Sequence, residues 1–277
     1  MSNMDSYRIN FYCKNVHYIV KLSRNWFDIV NETKELIHIT LYTGGQTMDK
    51  NKEVFANIKG GLIVSCQALS NEPLYSSYIM SRMALAAWQG GACGIRANTP
   101  EDIKHIKETV NLPIIGLYKQ VYKDSEVYIT PTVESVDALM ESEPDIIAID
   151  ATNRVRPFGY SLDEFFHMIR LKYPDMLFMA DCSCLEDAIH AEKLGFDLVG
   201  TTLYGYTKET QGAELPGIDL MKEILQKVKI PVIAEGGIWT PEQLKSTMDT
   251  GVYAAVVGTA ITRPMDITKR FVQAINR

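Results

Sequence analysis

The stretch Pro231-Val232-Ile233-Ala234-Glu235-Gly236-Gly237 ends a short apolar run on a carboxylate and two glycines. A second run, Tyr253-Ala254-Ala255-Val256-Val257, ends in Gly258-Thr259-Ala260, and a helix-like segment opened by Thr240-Pro241-Glu242-Gln243 lies between the two. Strands that each stop at glycine and are joined through a helix match the last units of a (β/α)8 barrel. In that fold the loops after the last two strands hold phosphate, and polar residues at strand C-termini carry the chemistry. A carboxylate at Glu235 therefore predicts acid–base work on a phosphorylated substrate.

Working outward, the same rhythm extends back to residue 60. Short runs rich in Val and Ile cover Leu62 to Ser65, Ala92 to Ile95, Pro113 to Leu117, Asp145 to Ile149, Met176 to Ala180 and Asp197 to Thr201, which with the two above makes eight. An extra short run, Val127 to Ile129, falls between the third and fourth. Helical stretches such as Ser77 to Gln89, Glu101 to Thr109, Leu162 to Leu171 and Leu185 to Leu194 fill intervals. Thr99-Pro100 and Thr240-Pro241 read as N-cap and first helical residue, and Gly90 and Gly195 as helix-closing glycines. Strands alternating with helices predict a parallel sheet, and eight such units favour a closed α/β barrel over an open sheet.

The 277 residues are 46% hydrophobic and 22% charged, ordinary for a globular protein and long enough for one large α/β domain. A net charge of −6 argues against nucleic acid or an anionic membrane as main partner. Cysteines 13, 66, 93, 182 and 184 form no paired framework, Cys182-Ser183-Cys184 is too tight for a zinc knuckle, and the histidines are scattered. No metal is expected, and the cysteines read as small hydrophobes in a reducing, cytoplasmic setting. No apolar run approaches the ~20 residues needed to span a bilayer. Residues 1–50 lack the strand–helix rhythm and carry isolated clusters around Phe11, Tyr12, Val16, Tyr18, Ile19 and Val20. They read as an extension to a barrel domain over 54–277. Gly44-Gly45 can be encoded by GGAGGA, which resembles a ribosome-binding sequence shortly before Met48, so a true start at Met48 is one expectation. An N-terminal extension that docks on the barrel is the other.

The residues that follow the eight runs are Gln67, Arg96, Lys119, Asp150, Asp181, Thr202 with Tyr204, Glu235 and Gly258. Loop residues are often polar for solvation alone, but charged groups at so many strand ends predict a mixed-charge cluster able to shift pKa values. Gly236, Gly237, Gly258 and Thr259 predict backbone N–H groups open to phosphate oxygens, with Arg263 adding a cation or serving only as a cap before Pro264.

Several of these residues sit in longer motifs: Gly61-Leu62-Ile63-Val64-Ser65-Cys66-Gln67-Ala68-Leu69, Gly94-Ile95-Arg96-Ala97-Asn98, Ile115-Gly116-Leu117-Tyr118-Lys119 and Ile149-Asp150-Ala151-Thr152. Met179-Ala180-Asp181-Cys182-Ser183, Gly200-Thr201-Thr202-Leu203-Tyr204-Gly205-Tyr206-Thr207, Ala234-Glu235-Gly236 and Val257-Gly258-Thr259-Ala260-Ile261-Thr262-Arg263-Pro264 continue the series. Together they resemble the bacterial N-acetylmannosamine-6-phosphate 2-epimerases from about residue 54 to the C-terminus. The resemblance implies a TIM barrel, no cofactor, a phosphorylated amino sugar as small-molecule partner in sialic acid breakdown, and a homodimer. It places the catalytic lysine on Lys119, the catalytic glutamate on Glu235, and substrate contacts on Gln67, Arg96 and Asp181, with Asp150 in a further motif. The arginine that often follows the lysine in the family is Gln120 here.

Inverting C2 of such a sugar requires opening the ring, removing the C2 proton beside the aldehyde, and returning it to the other face. Glu235 is the candidate for ring opening and Lys119 for the base. Free lysine, with a pKa of about 10.4, is too basic, and burial with Arg96 nearby is expected to lower it. Asp150 and Asp181 would balance the cations. Four rivals stay open: an aldolase-type lyase using Lys119 as imine-forming nucleophile, a sugar-phosphate sensor, a structural Lys–Glu ion pair, and another phosphate-binding barrel isomerase with a different sugar.

Overall fold

The computed structural model describes residues 7–13, 16–22 and 50–276. The chain divides into two units, Met1–Asp49 and Lys50–Arg277. In the first, β1 (Tyr7–Cys13) pairs antiparallel with β2 (Val16–Leu22), in a register running from Tyr7↔Leu22 to Cys13↔Val16. Sequence reading identifies only scattered apolar clusters here. Their β-branched and aromatic members suit strands.

The second unit is a closed, all-parallel barrel. Its strands are β3 (Leu62–Cys66), β4 (Gly94–Asn98), β5 (Ile114–Leu117), β6 (Ile146–Asp150), β7 (Leu177–Asp181), β8 (Leu198–Gly200), β9 (Val232–Glu235) and β10 (Ala254–Val257). They pair in sequence order, and β10 closes back on β3 through Ala255↔Leu62 and Val257↔Val64. All eight predicted runs are strands. The extra run Val127–Ile129 is not a ninth; Ile129 makes a single antiparallel bridge to Lys119.

Alternate residues of each strand sort into two layers, because successive side chains point to opposite faces. Ile146 and Ala148 join Ile63, Ile115, Met179 and Ile233 in an inner cluster. Ile147 and Ile149 join an outer one with Ile103, Leu139 and Phe166 of the surrounding helices. Burial on both faces explains the unbroken apolar runs. Residues 50–58 form helix α1, whose Val54 and Ile58 belong to the inner cluster. Gly60 donates its N–H to the Tyr253 carbonyl, and the Tyr253 hydroxyl donates to Phe55, so α1 closes the floor beneath the strands.

The outer helices are α2 (Ser77–Gln89), α3 (Pro100–Lys107), α4 (Val133–Met140), α5 (Leu162–Lys172), α6 (Leu185–Leu194), α7 (Ile218–Lys227) and α8 (Pro241–Met248). Short α9 (Thr259–Thr262) and α10 (Pro264–Ile275) follow β10. Thr99 and Thr240 cap α3 and α8 by accepting from Asp102 and Gln243 N–H groups. Gly195 closes α6 in the left-handed conformation at φ +96°. Gly90 caps α2 at φ −78°, and the left-handed turn falls one residue later, on Gly91.

Candidate active site

A cavity of about 230 Å³ opens above the C-terminal ends of the strands. Gln67, Arg96, Lys119, Thr202 and Glu235 line one part of it; Gly236, Gly237, Gly258, Thr259 and Arg263 line another. Ser65, Gln67, Arg96, Lys119, Asp181, Thr202 and Glu235 all fall in phase with the inner rows of their strands. The two-residue period that buries the core thus raises these polar groups to the mouth.

Arg96 is 1% exposed, and burial of a charge requires partners. It grips Asp181 through two nitrogens at 2.6 and 3.1 Å and reaches Glu235 Oε2 at 3.0 Å. Desolvation opposes the guanidinium charge, but Asp181 and Glu235 outweigh it and hold the pKa above the ordinary arginine value. Thr202 bridges both acids, donating to Asp181 Oδ1 at 2.6 Å with its hydroxyl 3.2 Å from Glu235 Oε2.

Burial raises the Glu235 pKa to about 7, helped by Asp181 and opposed by Arg96 and Lys119. Lys119 moves the other way. Burial, then Arg96 and Arg263, lower it to about 8, against the pull of Glu235 and Asp181. An acid and a base that start some six units apart in water are thereby brought close to neutrality, as proton transfer at neutral pH requires. The Lys119 backbone is fixed by its N–H bond to Asn98 and by the bridge to Ile129.

Gly236 and Gly237 take φ of +111° and +69°, which turns the chain sharply after Glu235. A Cβ on Gly237 would lie 2.3 Å from that of Leu215, so the packed loop admits only glycine here. Across the cavity, Gly258 precedes α9, whose first N–H groups have no intrahelical acceptor. Arg263 pairs with Glu72 at 3.0 Å while facing the cavity.

Three predicted site residues do not line the cavity. Asp181 sits beneath it as the Arg96 partner. Asp150 accepts from Thr152 and from Arg154 Nη2 at 2.7 Å, and its carbonyl accepts from buried Arg156. Burial still pushes the Asp150 carboxyl above its ordinary pKa, despite Arg154 and Thr152. The Tyr204 ring packs against Gly217, where an added Cβ would come within 2.6 Å of ring carbons. Conversely, Ser65, Tyr128 and Trp239 line the cavity, and Glu72 holds Arg263, without having been singled out. Ser65 was detectable by its inner-row phase; Tyr128 lies in the extra apolar run, which had no assigned role.

Fold and site together define a (β/α)8 barrel with a buried lysine and glutamate at its C-terminal mouth. A family model described as "Putative N-acetylmannosamine-6-phosphate epimerase" (NanE) matches residues 80–277. A relative from Listeria welshimeri, named as a putative N-acetylmannosamine-6-phosphate 2-epimerase, is 54% identical over 229 residues, covering 82% of this chain and 97% of its own. One of the same name from Enterobacter is 55% identical over 226 residues, covering 81% and 96%. The solved N-acetylmannosamine-6-phosphate 2-epimerase from Clostridium perfringens is 54% identical, with a TM-score of 0.76 over 79% of this chain and 95% of that one. The chain belongs to the NanE family of N-acetylmannosamine-6-phosphate 2-epimerases.

Proposed function

We propose that this protein interconverts N-acetylmannosamine 6-phosphate and N-acetylglucosamine 6-phosphate by moving the proton on C2. The observation that carries this reading is the meeting of Lys119, at a pKa of about 8, and Glu235, at about 7, over one cavity with glycine loops alongside. The 6-phosphate is read into the Gly236–Gly237 and Gly258–Thr259 loops, with Arg263 as its cation. That leaves the C1–C2 end for Lys119, Arg96 and Glu235.

Protonated Glu235 gives its proton to the ring oxygen as the bond from C1 to that oxygen breaks, and the carboxylate left behind takes the C1 hydroxyl proton, which opens the ring to the aldehyde. Neutral Lys119 then removes the C2 proton, giving an enolate-like intermediate whose charge rests on the C1 oxygen. The resulting ammonium returns a proton to the opposite face, and Glu235 reverses its steps to close the ring. Asp181 serves by holding Arg96 in place. Glu235 pairs with Arg96, and among the described residues Lys119 makes no ion pair, which favours a base over a structural Lys–Glu bridge. The unpaired thiols of Cys66, Cys93, Cys182 and Cys184 suit a reducing cytoplasm.

The test is proton NMR of the protein with N-acetylmannosamine 6-phosphate in D2O. The expected outcome is the gluco epimer with deuterium at C2, and loss of both exchange and epimerisation, by at least about 10³-fold, in Lys119→Ala. A sugar that binds unchanged would favour the sensor. A cleaved sugar, with Lys119 trapped by borohydride, would favour the lyase.

A further inference from the structure

Deprotonating C2 creates an anion on the C1 oxygen, and a preorganised donor aimed at such an oxygen is commonly the largest single catalytic contribution. At the reacting end of the cavity most donors already have partners; Arg96 Nε has none but is fully buried, and one Gln67 N–H remains. Arg96 directs its terminal nitrogens to Asp181 and Glu235. Gln67 Nε2 donates to Ser65 at 2.8 Å. Thr202 has a single hydroxyl proton, and its 2.6 Å contact with Asp181 uses it.

Tyr128 lines the same cavity, and none of the described residues hydrogen-bonds to its hydroxyl. Its backbone is tied to the lysine segment: Gln120 N–H donates to the Tyr128 carbonyl at 3.0 Å, Thr130 N–H donates to Tyr118 at 2.9 Å, and Ile129 bridges Lys119. The ring packs against the inner barrel cluster. Burial, with Asp150 and Asp181 nearby, pushes the phenol up to about 12, so it remains a neutral donor across the working pH range. The Lys119–Ile129 bridge and the Gln120–Tyr128 hydrogen bond set residue 128 beside the lysine segment, at the reacting end.

We propose that Tyr128 is a further catalytic residue, donating its hydroxyl hydrogen to the C1 oxygen as that oxygen becomes anionic. In the step it assists, the C2–H bond breaks and the proton passes to Lys119 Nζ. The bonding pair forms the C1–C2 double bond, and the former carbonyl pair moves onto the C1 oxygen. Tyr128 keeps its proton throughout, sharing it with that oxygen, and releases it when C2 is reprotonated. This assignment rests on the epimerase reading.

Tyr128→Phe keeps the ring and removes only the donor. Expected are a kcat lower by about 10- to 100-fold, a KM within about twofold, and an unchanged thermal midpoint, because the contact strengthens mainly in the transition state. Exchange of the C2 proton into D2O should slow by the same factor as epimerisation. Should the variant fold poorly, 3-fluorotyrosine placed at 128 tests the same point, and a kcat that responds to the altered phenol acidity is expected. A Tyr128→Phe enzyme with wild-type kcat, or one whose loss lies wholly in KM, would overturn the assignment. If the unsubstituted protein also yields no epimer, the epimerase reading fails instead.

Discussion

Lys119 and Glu235 titrate as a pair. The state with neutral lysine and protonated glutamate carries the same number of protons as the ion pair, so one pH profile describes both. With pKa values of about 7 for Glu235 and about 8 for Lys119, kcat/KM should follow a narrow bell. Activity falls below about pH 7, where both groups hold protons, and above about pH 8, where both have lost them. Arg263 is one of the cations that lower Lys119, so Arg263→Ala should move the alkaline limb to higher pH. The same change should raise KM by about tenfold through the lost charge-assisted contact to phosphate. A rate–pH series on both proteins checks this, and an alkaline limb that stays fixed would separate Arg263 from the lysine. Most of this cluster is legible in the order of the strand ends, since Gln67, Arg96, Lys119, Thr202 and Glu235 do face one cavity. The reading could not tell which acids would turn to local partners. Thr152 and Arg154, just beyond β6, engage Asp150, and Gly217, thirteen positions beyond Tyr204, makes room for that ring.

At the scale of elements, the βα loops carry function because rigid strands hold their ends. The β9–α8 loop makes the sharpest case. Gly237→Ala combines a left-handed φ of +69° with a Cβ 2.3 Å from Leu215 Cβ, so either the loop or Leu215 must move. Expected are a loss of about 1–3 kcal/mol in unfolding free energy and about a tenfold rise in KM for the sugar phosphate. Gly60→Ala is the control, with φ +71° but nothing within 4 Å of the new Cβ; it should cost about 1 kcal/mol and leave KM alone. Denaturant melts and steady-state kinetics of the two variants separate strain from site geometry. Among the helices, α10 differs from the rest. None of its residues is buried, and Phe271 and Ile275 are 73% and 82% exposed one turn apart. An apolar stripe of that kind calls for a cover. If a second copy of the chain is that cover, light scattering should give a dimer mass, and Phe271→Glu with Ile275→Glu a monomer. A monomer before substitution would remove the idea. The barrel strands were readable from composition because both of their faces are buried. The hairpin β1–β2 was not, because strand pairing depends on a partner that short clusters do not announce.

For the whole molecule, the division of the chain at Asp49–Lys50 coincides with the floor of the barrel. Helix α1, residues 50–58, supplies Val54 and Ile58, 5% and 0% exposed, to the inner cluster, so the barrel needs the chain from about residue 50 onward. The NanE family model matches residues 80–277, all within the barrel unit. A chain shortened to begin at Met48 would keep α1 whole. A chain beginning at Met48 should therefore match the full chain in kcat/KM within about twofold and in thermal midpoint within a few degrees. Removing residues through Lys59 should have the opposite effect. Each buried aliphatic lost from the floor is worth roughly 1.5–3 kcal/mol, and the inner cluster would open to water from below. Intact mass of the protein from its native source complements the truncations: a product beginning at Met1 would show that the first unit is made and would leave its role to be found, whereas an inactive Met48 chain would show that the barrel depends on it.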